Sequence, residues 1–94
     1  MTVGFVGIHY PQSAHFEDFV GRVQQAVEVL RAAPGCLSVG CWVTAEGDAV
    51  VSTAEFESDE ALAASFAAAS EAGVDFAYDE RERAPRQVLT LRPR

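Results

Sequence analysis

The 94-residue sequence contains no lysine, and it has no apolar run of the length that a membrane-spanning helix needs. Such a helix takes about 20 consecutive apolar residues, so we expect no membrane partner. The seven basic residues are outnumbered by fourteen acidic ones, which leaves a net charge of −7. Because the phosphate backbone of nucleic acid is bound by clustered positive charge, nucleic acid is not expected as a partner either. The N-terminus has neither the basic segment nor the small-residue cleavage site of a signal peptide, so we expect a cytoplasmic protein.

Cysteine and histidine are also scarce, with two of each. Cys36 and Cys41 lie in the same predicted strand, where a rise of about 3.3 Å per residue separates their Cα atoms by roughly 16 Å. A disulfide needs Cα atoms within about 7 Å, so both are expected to be free, buried thiols. The odd spacing also predicts that they point to opposite faces of the strand. Without a Cys-x-x-Cys pair or a histidine cluster, the sequence predicts no metal site.

The basic residues are distributed unevenly, because most of the arginines fall near the C-terminus. Two interpretations remain open. These arginines form surface ion pairs with the acidic remainder of the chain or with a second copy. Alternatively, they build a local site for an anionic ligand, since a guanidinium binds a carboxylate through two parallel hydrogen bonds. They are Arg81, Arg83, Arg86, Arg92 and Arg94, with Glu82 as the acidic residue among them.

Hydrophobic patterning predicts strands and helices in the order β-α-β-β-α-β. The first helix follows Ser13 as its cap and carries apolar residues every three or four positions, until Pro34 and Gly35 end it. The second helix begins after Ser58 and ends at Gly73. The strands are predicted at residues 3–10, 36–44, 49–56 and 86–92, with a short hairpin turn between the second and the third.

This order is the split β-α-β pattern of a ferredoxin-like sandwich. We therefore predict one α+β domain over residues 1–94, with a four-stranded antiparallel sheet and two helices on one of its faces. The other face is expected to be polar in a monomer. Instead, the second strand directs Trp42 to that face, while Leu37, Val39, Cys41 and Val43 are predicted to face the helices. An apolar outer face predicts a homodimer, with Trp42 in the interface.

Three segments of the chain carry a family resemblance. PGCL at residues 34–37 resembles a P-G-[CF]-L entry to the second strand, and AEFES at residues 54–58 resembles an E-x-W-x-S end of the third. DEAL at residues 59–62 resembles the acidic start of the second helix. In this order and spacing they resemble the antibiotic biosynthesis monooxygenase family of dimeric α/β barrels. The resemblance implies an oxidoreductase that oxygenates a small aromatic, polyketide-like substrate with O2, without a metal or organic cofactor.

The resemblance also points to individual positions. Ser52 stands where oxygenases of this family place an Asn, and Phe56 stands where they place a Trp at the end of the third strand. Leu62 occupies the position of an active-site Tyr, and Ser65 that of a His in the second helix. The haem-degrading branch of the family requires an Asn, a Trp and a His at positions that hold other residues here, so haem breakdown is not expected.

A cofactor-independent oxygenase needs a general base and a pocket that shields the resulting anion from water. His9, at the end of the first strand, is predicted to be that base because histidine titrates near neutral pH. Alternation places it on the same face as Val3 and Phe5, and the alternative is a surface or capping histidine. His15 is less suited, since a positive charge in the first helical turn opposes the helix dipole. The predicted substrate-binding residues are Ser52, Phe56, Phe66 and Tyr78. For Ser52, Phe56 and Phe66 the alternative role is core packing. For Tyr78 it is a position at the rim of the pocket.

Whether the chain is an enzyme stays open on these residues alone. A non-enzymatic dimeric binding or assembly module on the same fold is one alternative. An isomerase or decarboxylase of a related dimeric barrel, with His9 as its base, is another. The deciding feature is a cavity between the helices and the sheet, and small residues leave room for one at Ala54, Ala61, Ala64 and Ala68.

Overall fold

The computed structural model describes residues 2–94. Its elements are β1 (Val3–Pro11), a 3₁₀ turn (Ser13–His15), α1 (Phe16–Arg31), β2 (Cys36–Val43), β3 (Val50–Phe56), α2 (Asp59–Glu71) and β4 (Glu82–Leu91). The strands pair antiparallel in the order β2-β3-β1-β4, so β3 and β1 are central. This arrangement confirms the predicted ferredoxin-like α+β fold. None of the helices in the described part of the chain is long and apolar enough to cross a membrane.

The helices begin and end at local sequence signals, with one exception. The hydroxyl of Ser58 accepts a hydrogen bond from the backbone N–H of Ala61 at 3.1 Å, which caps α2 as predicted. Gly73 follows α2 with a φ of 93°, a conformation that glycine adopts without steric cost. Ser13 does not cap α1, contrary to the prediction, because it begins the 3₁₀ turn and α1 has no side-chain cap.

Both helices bury apolar side chains against the same face of the sheet, which we call the inner face. The stripe predicted for α1 is confirmed, because its buried residues recur every three or four positions: Phe19, Val23, Val27 and Leu30. Together with Val50 of β3, the first three form one core cluster. The buried residues of a second cluster are Val3, Leu30, Phe56, Ala69 and Val74. The space between α1 and the inner face is the region that matters for function.

The second strand contains an irregularity that changes the orientation of its first residues. Cys36 pairs with Phe56, but Ser38 pairs with the residue directly before Phe56, so Leu37 is an extra residue in β2. The extra residue turns Cys36 to the inner face, where Cys41 also packs against the core. The prediction that the two cysteines point to opposite faces is therefore wrong. Leu37 is 50% exposed instead of facing the helices.

The fourth strand begins earlier than predicted, at Glu82 instead of residue 86. The sequence prediction failed there because Pro85, which donates no backbone hydrogen bond, indicates a loop. Pro85 and Arg86 together lie opposite the single residue His9 of β1, so the proline is accommodated at a β-bulge. A second irregularity then pairs Glu82 with Pro11. The bulged segment thus brings Glu82 and Arg86 next to His9.

The outer face of the sheet, which carries no helix, is markedly apolar. Trp42 is 61% exposed there, and its indole N–H donates to the Thr53 hydroxyl at 3.0 Å. Leu89 and Leu91 of β4 are also about half exposed, at 48% and 46%. Val43, predicted to face the helices, is 51% exposed at the edge of the sheet. The position of Trp42 agrees with its predicted orientation, whereas its role in a dimer stays a prediction.

Ser58 and Ser13 allow a direct test of the helix ends. Replacing Ser58 by Ala is expected to lower the free energy of unfolding by about 1 kcal/mol, because it removes the side-chain acceptor that caps α2. Ser13→Ala is the matched control and is expected to change it by less than about 0.5 kcal/mol. Urea denaturation followed by circular dichroism measures both values. Equal losses in the two variants would contradict the capping seen here.

Candidate active site

A cavity of about 290 Å³ lies between α1 and the inner face of the sheet. This volume is at the lower end of the roughly 300–1,000 Å³ typical of ligand pockets. Most of its wall is apolar, formed by side chains such as Phe5, Val23, Val27, Leu30, Phe66 and Val88. The space between the helices and the sheet is therefore hollow. A cavity of this kind can hold a ligand, which favours an enzyme or a ligand-binding protein.

His9 reaches this cavity from β1, where alternation directs it to the inner face together with Phe5 and Gly7. Its side chain is only 14% exposed. Its Nδ1 atom lies 3.4 Å from a carboxylate oxygen of Glu82, whose side chain is fully buried. The imidazole also packs against Phe19 of α1, with ring centroids 5.2 Å apart. A backbone position, a carboxylate and an aromatic ring thus hold the imidazole in one orientation.

The Glu82 carboxylate is shared between His9 and Arg86. The Nε atom of Arg86 donates to one carboxylate oxygen of Glu82 at 3.2 Å, and its Nη2 atom donates to the other. Because the carboxylate accepts a hydrogen bond from Nδ1 of His9, this nitrogen carries the imidazole proton and Nε2 has a free lone pair. The arrangement leaves His9 with one nitrogen that can accept a proton from a ligand.

The charge state of His9 follows from its surroundings. Burial lowers the pKa of His9 below its ordinary value of 6.5, and the positive charge of Arg86 acts in the same direction. The hydrogen bond and the negative charge of Glu82 raise the pKa but do not outweigh burial. The imidazole is therefore neutral at neutral pH, which is the protonation state that a general base requires.

Gly7 keeps the region around the free nitrogen open. A Cβ atom at this position would lie 2.9 Å from the Ser52 hydroxyl oxygen and 3.5 Å from Nε2 of His9. A side chain at Gly7 would therefore occupy the gap that these two polar groups border. Ser52 and His9 both line the cavity, so the gap connects to the apolar space.

The predicted site residues divide into two groups. His9, Ser52 and Phe66 all line the cavity, and Phe66 also packs on Phe5 with ring centroids 4.9 Å apart. Phe56 is fully buried behind Phe66, at a centroid distance of 6.5 Å. Tyr78 lies outside the cavity, is 52% exposed and has the guanidinium of Arg86 over its ring. Whether each of these residues binds a substrate stays a prediction.

Sequence reasoning missed two charged residues of this site, Arg22 and Glu82. Arg22 of α1 lines the cavity, and donates from Nε to the Asp75 carbonyl oxygen at 2.7 Å and from Nη2 to the Ala77 carbonyl oxygen at 2.6 Å. A signal was available, because Arg22 lies three residues after Phe19 and thus beside the apolar stripe of α1. Glu82 gave no comparable signal, since it lies four residues before the predicted start of the fourth strand.

Several of the C-terminal arginines form ion pairs within the chain. Arg81 binds the carboxylates of Asp75 and Asp79, and Arg92 binds that of Asp59. Arg81 and Arg92 thus form surface ion pairs, as one of the two interpretations predicts, whereas Arg83 donates to the Asp48 carbonyl oxygen. Arg86 is the exception among them, because it lines the cavity and is only 19% exposed.

The sequence matches the model of the antibiotic biosynthesis monooxygenase family over residues 7–70. No curated protein matches it significantly. Among solved structures, Rv0793 from Mycobacterium tuberculosis is 20% identical with a TM-score of 0.80, and the match covers 99% of this chain and 95% of that one. SO0527 from Shewanella oneidensis is 15% identical with a TM-score of 0.83, covering 96% and 88% of the two chains. A variant of SnoaB, a cofactor-independent oxygenase from Streptomyces nogalater, is 14% identical with a TM-score of 0.70, covering 99% and 93%.

The pKa of His9 tests the geometry of this site directly. We expect His9 to titrate below 6.5 and Glu82→Gln to lower this pKa further, because the carboxylate is the group that favours the charged imidazole. A pKa lowered by folding means that neutral His9 stabilises the fold above pH 6.5, and that this contribution is lost as the pH falls through the folded-state pKa.

NMR titration of the imidazole resonances measures this pKa, and ¹⁵N shifts report the tautomer. Glu46→Gln, in the exposed hairpin turn, is the matched control and is expected to leave the His9 titration unchanged. An identical titration curve in Glu82→Gln and in the wild type would argue against the contact between His9 and Glu82.

Proposed function

The chain belongs to the antibiotic biosynthesis monooxygenase family, and on this premise we propose that it oxygenates a small phenolic aromatic substrate in the cavity. His9 acts as the general base, and neither a metal nor an organic cofactor takes part. The observation that carries the proposal is a neutral, oriented imidazole facing an apolar cavity. SnoaB, a cofactor-independent oxygenase, has the same fold and thereby supports it.

The environment of His9 suits a base that works inside a water-poor pocket. Its Nδ1–H group is bound to Glu82, so the developing imidazolium is stabilised by a buried carboxylate when Nε2 accepts a proton. The apolar walls keep bulk water away from the substrate anion, which prevents reprotonation by solvent. Ser52 borders the gap next to Nε2, and in this proposal its hydroxyl donates a hydrogen bond to the substrate oxygen.

The proposed reaction is written for an anthrone-like substrate in its phenolic form. Nε2 of His9 takes the hydroxyl proton, and the negative charge spreads to the ring carbon opposite the hydroxyl. That carbon passes one electron to O2, and the two radicals combine to a peroxide anion, which is then protonated. Loss of water from this hydroperoxide turns the carbon into a carbonyl. One oxygen atom of O2 enters the quinone product and the other leaves as water, so O2 is the oxidant.

Replacing His9 by Gln tests the role of the base. General-base catalysis contributes about 10²–10⁴ in rate, so His9→Gln is expected to lower kcat/KM for an anthrone-like phenol by about that factor. Oxygen consumption in a sealed electrode cell, together with absorbance of the quinone product, measures the rate. His15→Gln is the control, because it removes the other histidine of the chain without touching the cavity. An unchanged kcat/KM in His9→Gln would remove His9 from the mechanism.

The same base also supports a reaction without oxygen. A neutral histidine hydrogen-bonded to a buried carboxylate is suited to proton transfer in general, and so to an isomerase. Product formation without O2 consumption would favour that function over an oxygenase. Ligand binding without any turnover across a panel of phenols would favour the binding-module alternative.

We further propose that the chain forms a homodimer through the outer face of its sheet. Exposed apolar side chains at Trp42, Leu89 and Leu91 support this, because a monomer rarely leaves such a surface in contact with water. A standard specific interface buries about 800 Å² per partner, and a two-fold axis through the outer face makes the patch self-complementary.

Trp42→Glu is expected to dissociate the dimer, because it introduces an unpaired charge into the covered surface. In sedimentation equilibrium at micromolar concentration, the wild type is expected at twice the 10.1 kDa chain mass and the variant at the monomer mass. Val43→Glu is the matched control, since Val43 is next to Trp42, similarly exposed, and points away from the outer face. A wild type that sediments as a monomer would refute the dimer.

A further inference from the structure

One end of the cavity holds a partly buried arginine whose hydrogen-bonding capacity is incompletely used. The Arg22 side chain is 13% exposed, and its Nη1 atom is inaccessible to solvent. Nε and Nη2 donate to backbone carbonyl oxygens, but Nη1 has no hydrogen-bond partner within residues 2–94. A buried donor without an acceptor is destabilising, so a ligand acceptor that reaches this atom would remove an unfavourable feature of the structure.

The counter-charge of Arg22 is the Asp75 carboxylate, which also lines the cavity but is not bound to Arg22 alone. Asp75 approaches Arg22 only to 3.9 Å, is 49% exposed and is bound by Arg81 at 3.1 Å. The Glu82 carboxylate is engaged by Arg86 and His9. Burial lowers the pKa of Arg22, which reflects how incompletely the surrounding groups compensate the guanidinium. The positive charge of Arg22 is thus only partly compensated at this end of the cavity, although the chain as a whole carries −7.

Arg22 and His9 lie at the same end of the cavity. The ring of Phe19 lies 4.7 Å from the guanidinium carbon of Arg22 and 5.2 Å from the imidazole centroid of His9. A planar ligand lying in the apolar space can therefore present one polar substituent to each group. The substituent at His9 is the one that loses a proton, and the substituent at Arg22 is an acceptor.

We propose that Arg22 forms a subsite for a carboxylate, so that the substrate class is an aromatic carboxylic acid with a phenolic hydroxyl. This inference rests on the proposed function in taking the cavity as the substrate site. A carboxylate fits better than a phenolate, because phenols ionise near pH 10 and are neutral when they bind at neutral pH. Nη1 of Arg22 donates to the carboxylate, and the hydroxyl meets Nε2 of His9.

The first test uses the unaltered protein with two ligands of the same shape. Isothermal titration calorimetry at pH 7.5 compares 1-naphthoate with 1-naphthamide, neither of which has a phenolic hydroxyl to oxidise. A hydrogen bond to a charged group makes naphthoate bind about tenfold more tightly than the amide. Equal affinities, tighter binding of the amide or no binding of naphthoate at millimolar concentration would each overturn the subsite. The acidic chain as a whole disfavours an anion, so nonspecific binding predicts the opposite order.

The second test removes the charge. Arg22→Gln is expected to weaken naphthoate binding about tenfold while leaving naphthamide binding unchanged. Arg31→Gln is the matched control, since Arg31 lies on the same helix but is exposed and paired with Glu28. A loss of both ligands to the same extent in a folded Arg22→Gln variant would overturn the subsite. If circular dichroism shows that this variant does not fold, the wild-type comparison decides.

These measurements separate the subsite from the oxygenase. Calorimetry requires no turnover, so a tenfold preference for naphthoate in a protein that consumes no O2 would support the subsite and refute the oxygenase. Oxygenation of a neutral phenol by a protein with no preference for naphthoate would support the oxygenase and refute the subsite.

Discussion

The fully buried carboxylate of Glu82 is the constraint on which the rest of the site depends. An ionised group removed from water costs several kcal/mol unless charged or hydrogen-bonded partners compensate it. Its two partners come from different strands: Arg86 lies four residues further along β4, and His9 lies on β1. A regular strand pairing would not bring all three together, and the bulge at Pro85 provides the necessary displacement. The orientation of His9 is therefore a consequence of how the Glu82 charge is accommodated, whereas its neutral state follows mainly from burial.

The two cavity arginines have a structural task beside any catalytic one. The segment between α2 and β4 has no regular secondary structure, so its backbone carbonyls lack ladder partners. Arg22 and Arg86 both donate to the carbonyl oxygen of Ala77, and Arg86 also donates to that of Phe76. The segment is thus held beside the cavity by one arginine from α1 and one from β4. Binding a ligand at Nη1 of Arg22 would use the one nitrogen that these contacts leave over.

Local signals explain what could be predicted from the sequence. The element order, the apolar stripe of α1 and the Ser58 cap each follow from residues within a few positions of one another. His9 was found because it is a histidine at the end of the first strand, and alternation does place it on the inner face. The contact of His9 with Glu82 joins positions 73 residues apart through a bulge, and no short-range pattern encodes it. The orientation of Cys36 could not be predicted for a similar reason. The extra residue in β2 shifts the strand by one position, and a one-residue shift exchanges the two faces of a strand.

The central strand β1 couples the two apolar faces of the sheet. Phe5, Gly7 and His9 line the cavity, so the alternate residues Val6 and Ile8 point to the outer face. A hollow inner side forfeits packing contacts, and a chain of this length buries only about 60–70% of the surface that it exposes when unfolded. In the homodimer proposed above, a second copy on the outer face would compensate for that loss on the same strand. Because neighbouring residues of β1 serve the two faces, His9 lies one peptide unit from Ile8 on the outer face.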